Sequence, residues 1–229
     1  MNEEKTAKSG SVVPCALFLG AYVIFKLIIP RLGNHMGFLT GRVSLWYQIA
    51  VYTILAAAGL YLFRDSWKAG LKAWKEHPWK SVLWFVGTVF GDLLIQTIFS
   101  IPKMFICPDY SSSINDNSVA TVVTLIPAAV AVLLVAVLGP LTEEHVFRIV
   151  LAEKVSKKIP MVAAMLLSAF CFMAVHVKAI TCEELLTNLP LFGTGLTYSF
   201  VLLKSKNPTI PFLQHFITNF TGVLGMLLM

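Results

Sequence analysis

The chain has 229 residues, 57% of them hydrophobic and 13% charged, whereas ordinary soluble domains carry roughly 25% charged residues. Its apolar residues gather into runs that reach the ~20 residues needed to cross a bilayer core, which excludes a soluble helical enzyme. The net charge of +6 does not indicate a nucleic-acid partner. The basic residues lie in short loops between apolar runs, where anionic headgroups and the positive-inside rule account for them.

In chain order, residues 1–10 form a polar tail with Glu3, Glu4, Lys5 and Lys8. The run from Ser11 to Ile29 is too long for the apolar region of a signal peptide and is read as a retained first membrane helix. Further runs cover Val43 to Phe63, with Trp46 and Tyr47 as interface anchors, and Ser81 to Ile101, led by Trp79 and Trp84. A fourth covers Val119 to Gly139 and is followed at once by Pro140. Met161 to Val177, Leu189 to Leu203 and Thr209 to Met229 supply three more. Between the second and third, Arg64–Lys80 mixes Trp67, Trp74 and Trp79 with lysines, the pattern of a segment lying along the membrane surface. Cys15 and Cys171 sit in apolar runs as packing residues, and Cys107 and Cys182 fall in loops where a disulfide is conceivable. No C-x-x-C spacing marks a redox or zinc-ribbon site. Residues 11–229 are therefore expected to form one all-α, polytopic transmembrane bundle of seven or eight helices.

The count turns on Leu141 to Lys157, which carries Glu143, Glu144, His145, Arg148, Glu153 and Lys154 on a helix with an apolar stripe. Gly139-Pro140 predicts a kink or break just before it. If this stretch stays on one side, the chain has seven spans. Thirteen of its 18 basic residues then share a side, against Arg31, Arg42, Lys103 and Lys178, and the N-terminus is cytoplasmic. Glu143 and His176, however, are equidistant from a turn at Lys158-Ile159-Pro160, each ~25 Å along a helix at 1.5 Å per residue. A hairpin of two crossing helices would bring them to one depth and give eight spans.

Ionisable side chains within spans are expensive and mark candidate sites. Glu144 and Arg148 are i,i+4 with the glutamate first, the favourable order for a helical ion pair. Glu143 is turned about 100° away, so one carboxylate can be neutralised while the other stays free to act as a base. Phe172 stands one turn before His176 at the end of an apolar helix. His215 and Asn219 share one face of the last helix and both can donate hydrogen bonds. Asp92 and Gln96, also i,i+4, read equally as the lining of a substrate cavity or as a polar clasp between helices.

Glu-Glu-x-x-x-Arg, then Phe-x-x-x-His, then His-x-x-x-Asn, on successive helices, resembles the CPBP family of intramembrane proteases. That family includes the type II CAAX prenyl endopeptidases and bacteriocin-processing and self-immunity proteins. The resemblance covers about Leu138 to Asn219, within a catalytic core placed at 138–229; the first four helices match only in being hydrophobic. His145 stands where family members usually carry an apolar residue and is read as a bystander. The resemblance implies that Glu143 and His176 activate water, that His215 and Asn219 stabilise the oxyanion, and that Glu144, Arg148 and Phe172 support them.

The expected function is thus an intramembrane endopeptidase acting on a membrane-associated peptide or protein tail, in bacteriocin or signal-peptide processing or in CAAX-type cleavage. No cofactor is favoured. If zinc were bound, Glu143, His176 and His215 would hold it, although the H-E-x-x-H signature is absent. The partners expected are a peptide substrate and the lipid bilayer, in the plasma membrane of a bacterium. The other class of function is a non-proteolytic immunity or regulatory scaffold that binds another membrane protein.

Overall fold

The computed structural model describes residues 12–228, so the polar tail at 1–10 lies outside the described residues. Among the described residues there are nine helices and no strand: α1 Val12–His35, α2 Gly41–Leu62, α3 Arg64–Glu76, α4 Pro78–Ile106, α5 Ile114–Leu125, α6 Ala128–Lys157, α7 Met161–His176, α8 Cys182–Ser205 and α9 Thr209–Leu228. Five of these, α1, α2, α4, α6 and α8, are long and apolar enough to cross a membrane. The 16-residue α7 is apolar but shorter, and the 20-residue α9 carries Gln214, His215 and Asn219. The expected membrane-spanning helical bundle is borne out. Its outer surface shows Leu17, Ile54, Leu83, Phe90 and Leu94, each more than half exposed, the surface that lipid would cover.

Local chemistry sets several helix ends. Ser113 caps α5 by accepting the Asp116 amide at 3.0 Å, and Thr181 caps α8 by accepting the Glu184 amide at 3.3 Å. Pro78 opens α4, a position where no amide hydrogen is needed. Lys26, in the middle of α1, rests its ammonium 4.0 Å from the centre of the Tyr52 ring.

The fourth run departs from its expected course. It is interrupted at Ile126-Pro127, where Ile126 is extended (φ −129°, ψ 158°), the geometry that a following proline favours. Gly139-Pro140 does not end a helix and lies inside the 30-residue α6. Just upstream, Val132–Leu138 forms wide turns with i→i+5 hydrogen bonds. Such a turn moves the facing carbonyl out from under the proline ring and leaves no amide wanting at Pro140, so the helix passes through. Leu141–Lys157 is therefore the second half of one long helix rather than a separate segment. The α6–α7 hairpin forms as the spacing required, and because Leu141–Lys157 belongs to α6 it is not a separate span. Arg148, placed in a loop by the seven-span reading, lies fully buried in the interior.

Close helix contacts bring the site together. Ser168 on α7 donates to the Phe147 carbonyl of α6 at 2.6 Å and accepts from Ser199 of α8 at 3.0 Å, all three fully buried. Gly195 lies against Ala169: a Cβ built on it would meet the Ala169 Cα at 2.6 Å. Gly195→Val is thus expected to force α7 and α8 apart and lower stability by about 1–3 kcal/mol, measurable by unfolding of the detergent-solubilised protein.

The amphipathic α3 is fastened to the bundle through its tryptophans. Trp74 donates to Thr209 Oγ1 at 2.7 Å, and Asn207 donates to the Gly70 carbonyl at 3.2 Å. Trp67 donates to Nε2 of His145 at 2.9 Å. His145 is no bystander. It is fully buried, stacked on Phe63 at 5.6 Å and packed against Gly59, where an added Cβ would collide with its ring. Trp67→Phe would leave this imidazole without its donor, and a stability loss of about 1–3 kcal/mol is expected in the same unfolding measurement.

Candidate active site

The wide turns continue through Glu144–Lys154, placing the Glu143-Glu144 pair in the middle of a helix whose neighbouring positions are buried on all sides. Widened turns of this kind recur at functional sites. Glu144 is fully buried, and its Oε1 lies 3.5 Å from Nε of Arg148 and 3.0 Å from Nδ1 of His215. The ion pair expected from the i,i+4 spacing is therefore present, with His215 added to it. Glu143, 8% exposed, points its Oε2 to within 3.7 Å of Nε2 of the same imidazole. A carboxylate only accepts, so Nδ1 of His215 carries the hydrogen shared with Glu144. Nε2 is left facing Glu143 at 3.7 Å, too long for a direct hydrogen bond and too short for an atom between them, so a water oxygen would reach both from the side.

The imidazole of His176 is oriented by its own helix. Its Nδ1 donates to the Phe172 carbonyl at 2.7 Å, which fixes the tautomer and leaves Nε2 with its lone pair. Phe172 packs edge-on against both histidines, 4.9 Å from His176 and 5.8 Å from His215 between ring centroids. It also takes the guanidinium of Arg148 over its face at 4.2 Å. Asn219 does not aim at the glutamates in this arrangement: its amide donates to the Val135 carbonyl of α6 at 3.0 Å. The wide turns at 132–138 leave that carbonyl available to a side chain. Glu143, Glu144, Arg148, Phe172, His176 and His215 thus gather in one region. Asn219 ties α9 to α6 roughly one turn away.

The candidate zinc ligands Glu143, His176 and His215 do not converge into a ligand set: among the described residues, no group of three His, Cys, Asp or Glu side chains does. Nδ1 of His215 is committed to Glu144 and Nδ1 of His176 to Phe172, which leaves Nε2 of each as the nitrogen a metal could take.

Several participants left little trace in the sequence. Tyr198 stands fully buried with its ring 5.8 Å from His215 and 5.3 Å from the Arg148 guanidinium. Its hydroxyl donates to Asp92 at 3.2 Å. Only a tyrosine within an apolar run signalled it, and such residues are common as interface anchors.

Comparison with known proteins bears on the same region. Residues 125–221 match the family model described as type II CAAX prenyl endopeptidase Rce1-like. The chain is also similar to a protein of Bacillus subtilis (strain 168) named putative membrane peptidase YdiL, with 25% identity over 178 residues, covering 77% of this chain and 69% of that one. No solved structure matches. The family resemblance carried by the three motifs is borne out, and the matched stretch begins earlier than the motifs, at the Pro127 break and the whole of α6. Both findings liken this chain to proteins described as membrane peptidases.

Proposed function

We propose that this Rce1-like membrane protein is an intramembrane endopeptidase in which Glu143 activates the hydrolytic water. The observation that carries the reading is the division of labour between adjacent carboxylates. Glu144 is held by Arg148 and His215, while Glu143 faces an imidazole across an open 3.7 Å. A water oxygen beside that pair, within reach of both atoms, would give its proton to Glu143 as it attacks the scissile carbonyl carbon. The C–N bond then breaks, and the proton passes from Glu143 to the leaving amine. His176, with its free Nε2, would share in orienting the water. His215, in its imidazolium form with Nδ1–H held by Glu144 and Nε2–H free, and Asn219 once released from Val135, would donate to the tetrahedral oxyanion. Aimed donors in a water-poor site contribute roughly 3–4 kcal/mol each to such a transition state.

The substrate we assign is a membrane-associated peptide or protein tail, of the bacteriocin or signal-peptide kind or of the CAAX kind. The proposed setting is a bacterial plasma membrane. The basic residues of Arg64–Lys80, Lys154–Lys158 and Lys204–Lys206 fall on one side in a seven-span reading of the sequence, the pattern behind the proposed cytoplasmic N-terminus. The proposed reaction requires no metal.

The test compares peptide profiles of intact cells carrying the unaltered chain or Glu143→Ala at equal membrane abundance. A product lost with Glu143→Ala supports the reading, and identical profiles overturn it in favour of a binding scaffold. With the product identified, cleavage by the purified protein is expected to survive exhaustive chelation. Loss that zinc alone restores would replace the metal-free chemistry.

A further inference from the structure

Beside the glutamate cluster, on the other side of Tyr198, a cleft of about 290 Å³ opens between α4 and α9. Its polar lining is Asp92, Gln96, Gln214, Thr218 and Thr221. Asp92 is 1% exposed and sits midway along the 29-residue α4. Its Oδ2 accepts from Gln96 at 2.9 Å and from Tyr198 at 3.2 Å, so the clasp that the i,i+4 spacing suggested exists. The clasp uses only half of the carboxylate. Oδ1 has no hydrogen-bond partner, and among the described residues no Lys, Arg or His pairs with Asp92. Gln214, 5% exposed, donates its amide to Thr218 at 3.4 Å and leaves its own carbonyl oxygen unpartnered.

Two buried orphan acceptors beside one open cleft, one of them a carboxylate without a cation, call for a ligand that brings hydrogens and positive charge. We infer that this cleft binds the ammonium group of a lysine side chain in the substrate peptide. Three N–H donors on one nitrogen match Asp92 Oδ1, Gln214 Oε1 and Thr218 Oγ1. The apolar flanks from Phe85, Leu93 and Ile217 suit the methylene stem. The volume lies at the lower edge of small-molecule pockets, about 300 Å³, and so admits one side chain rather than a folded segment. Gln214 directly precedes His215, and the Tyr198 ring separates cleft from catalytic imidazole, so a lysine anchored here would fix which neighbouring peptide bond reaches Glu143. This inference rests on the proteolytic reading for its meaning, but binding can be measured without cleavage.

The experiment uses the full chain carrying Glu143→Gln in nanodiscs, with fluorescent apolar peptides that differ at one central residue: lysine, acetyl-lysine or norleucine. The lysine peptide is expected to bind about tenfold or more tightly than the other two, as for a charge-assisted hydrogen bond. Asp92→Asn is expected to erase that preference, and Gln214→Leu to weaken it. Equal binding of the three peptides overturns the inference even if no variant folds. A lysine preference that survives in a folded Asp92→Asn protein also overturns it. Lysine selectivity in a chain that cleaves nothing would leave the cleft assigned and the protease reading refuted.

Discussion

Glu143→Gln is expected to lower turnover of a membrane peptide substrate by about 10²–10⁴-fold, the usual worth of a positioned general base, while leaving the bundle intact. Glutamine has nearly the same size and shape but cannot take a proton from water. Glu143 makes no direct hydrogen bond that the fold would miss; Nε2 of His215 lies 3.7 Å from it. The adjacent Glu144→Gln should behave differently, because Oε1 of Glu144 meets both Arg148 and His215 in full burial. That change should reduce both activity and stability. The two variants are compared by single-turnover cleavage, read by mass spectrometry, and by unfolding in detergent. Undiminished cleavage by a folded Glu143→Gln protein would remove Glu143 from the role of base and the proposed chemistry with it.

Much of this site was legible because helical spacing alone determines it. The i,i+4 relation of Glu144 and Arg148 needed no tertiary knowledge, and neither did the tautomer-setting bond from His176 to Phe172, which is also i,i+4. The hairpin symmetry of Glu143 and His176 about Lys158-Ile159-Pro160 likewise follows from rise per residue. What stayed hidden depends on partners far apart in the chain. Trp67 finds His145 across 78 residues and Tyr198 finds Asp92 across 106. Neither pairing leaves a local pattern. The run of wide turns in α6 was hidden for another reason. Proline rules predict a break at Gly139-Pro140 because they assume ordinary α-helical turns around it, and the widening at 132–138 removes the clash on which those rules rest. His145 shows the same limit from the opposite side. One residue from a glutamate pair it invites either a chemical role or dismissal, yet its environment of Phe63, Gly59 and Trp67 makes it the anchor of the surface helix α3.

Arg148→Met is expected to be the most destabilising single change in the molecule, by about 3–5 kcal/mol. The guanidinium is fully buried and ion-paired with Glu144, and its remaining N–H groups meet ring faces rather than acceptors, chiefly Phe172 at 4.2 Å and Tyr198 at 5.3 Å. Removing it leaves two neighbouring carboxylates in an apolar interior with one imidazole between them. Lysine should rescue little, since a compact ammonium cannot spread over two aromatic faces as the planar guanidinium does. Pairing the change with Glu144→Met takes both charges out together, and buried pairs replaced in this way often lose little or even gain stability. The double variant should therefore recover much of the stability lost by Arg148→Met. Its cleavage should not return, because His215 would have lost the carboxylate that fixes Nδ1 and aims Nε2 at Glu143. Stability and activity would then separate within one double-mutant cycle, with a coupling of about 0.5–3 kcal/mol in the unfolding measurement. Additive losses of stability in the double variant would show instead that Arg148 acts through its ring contacts and not through Glu144.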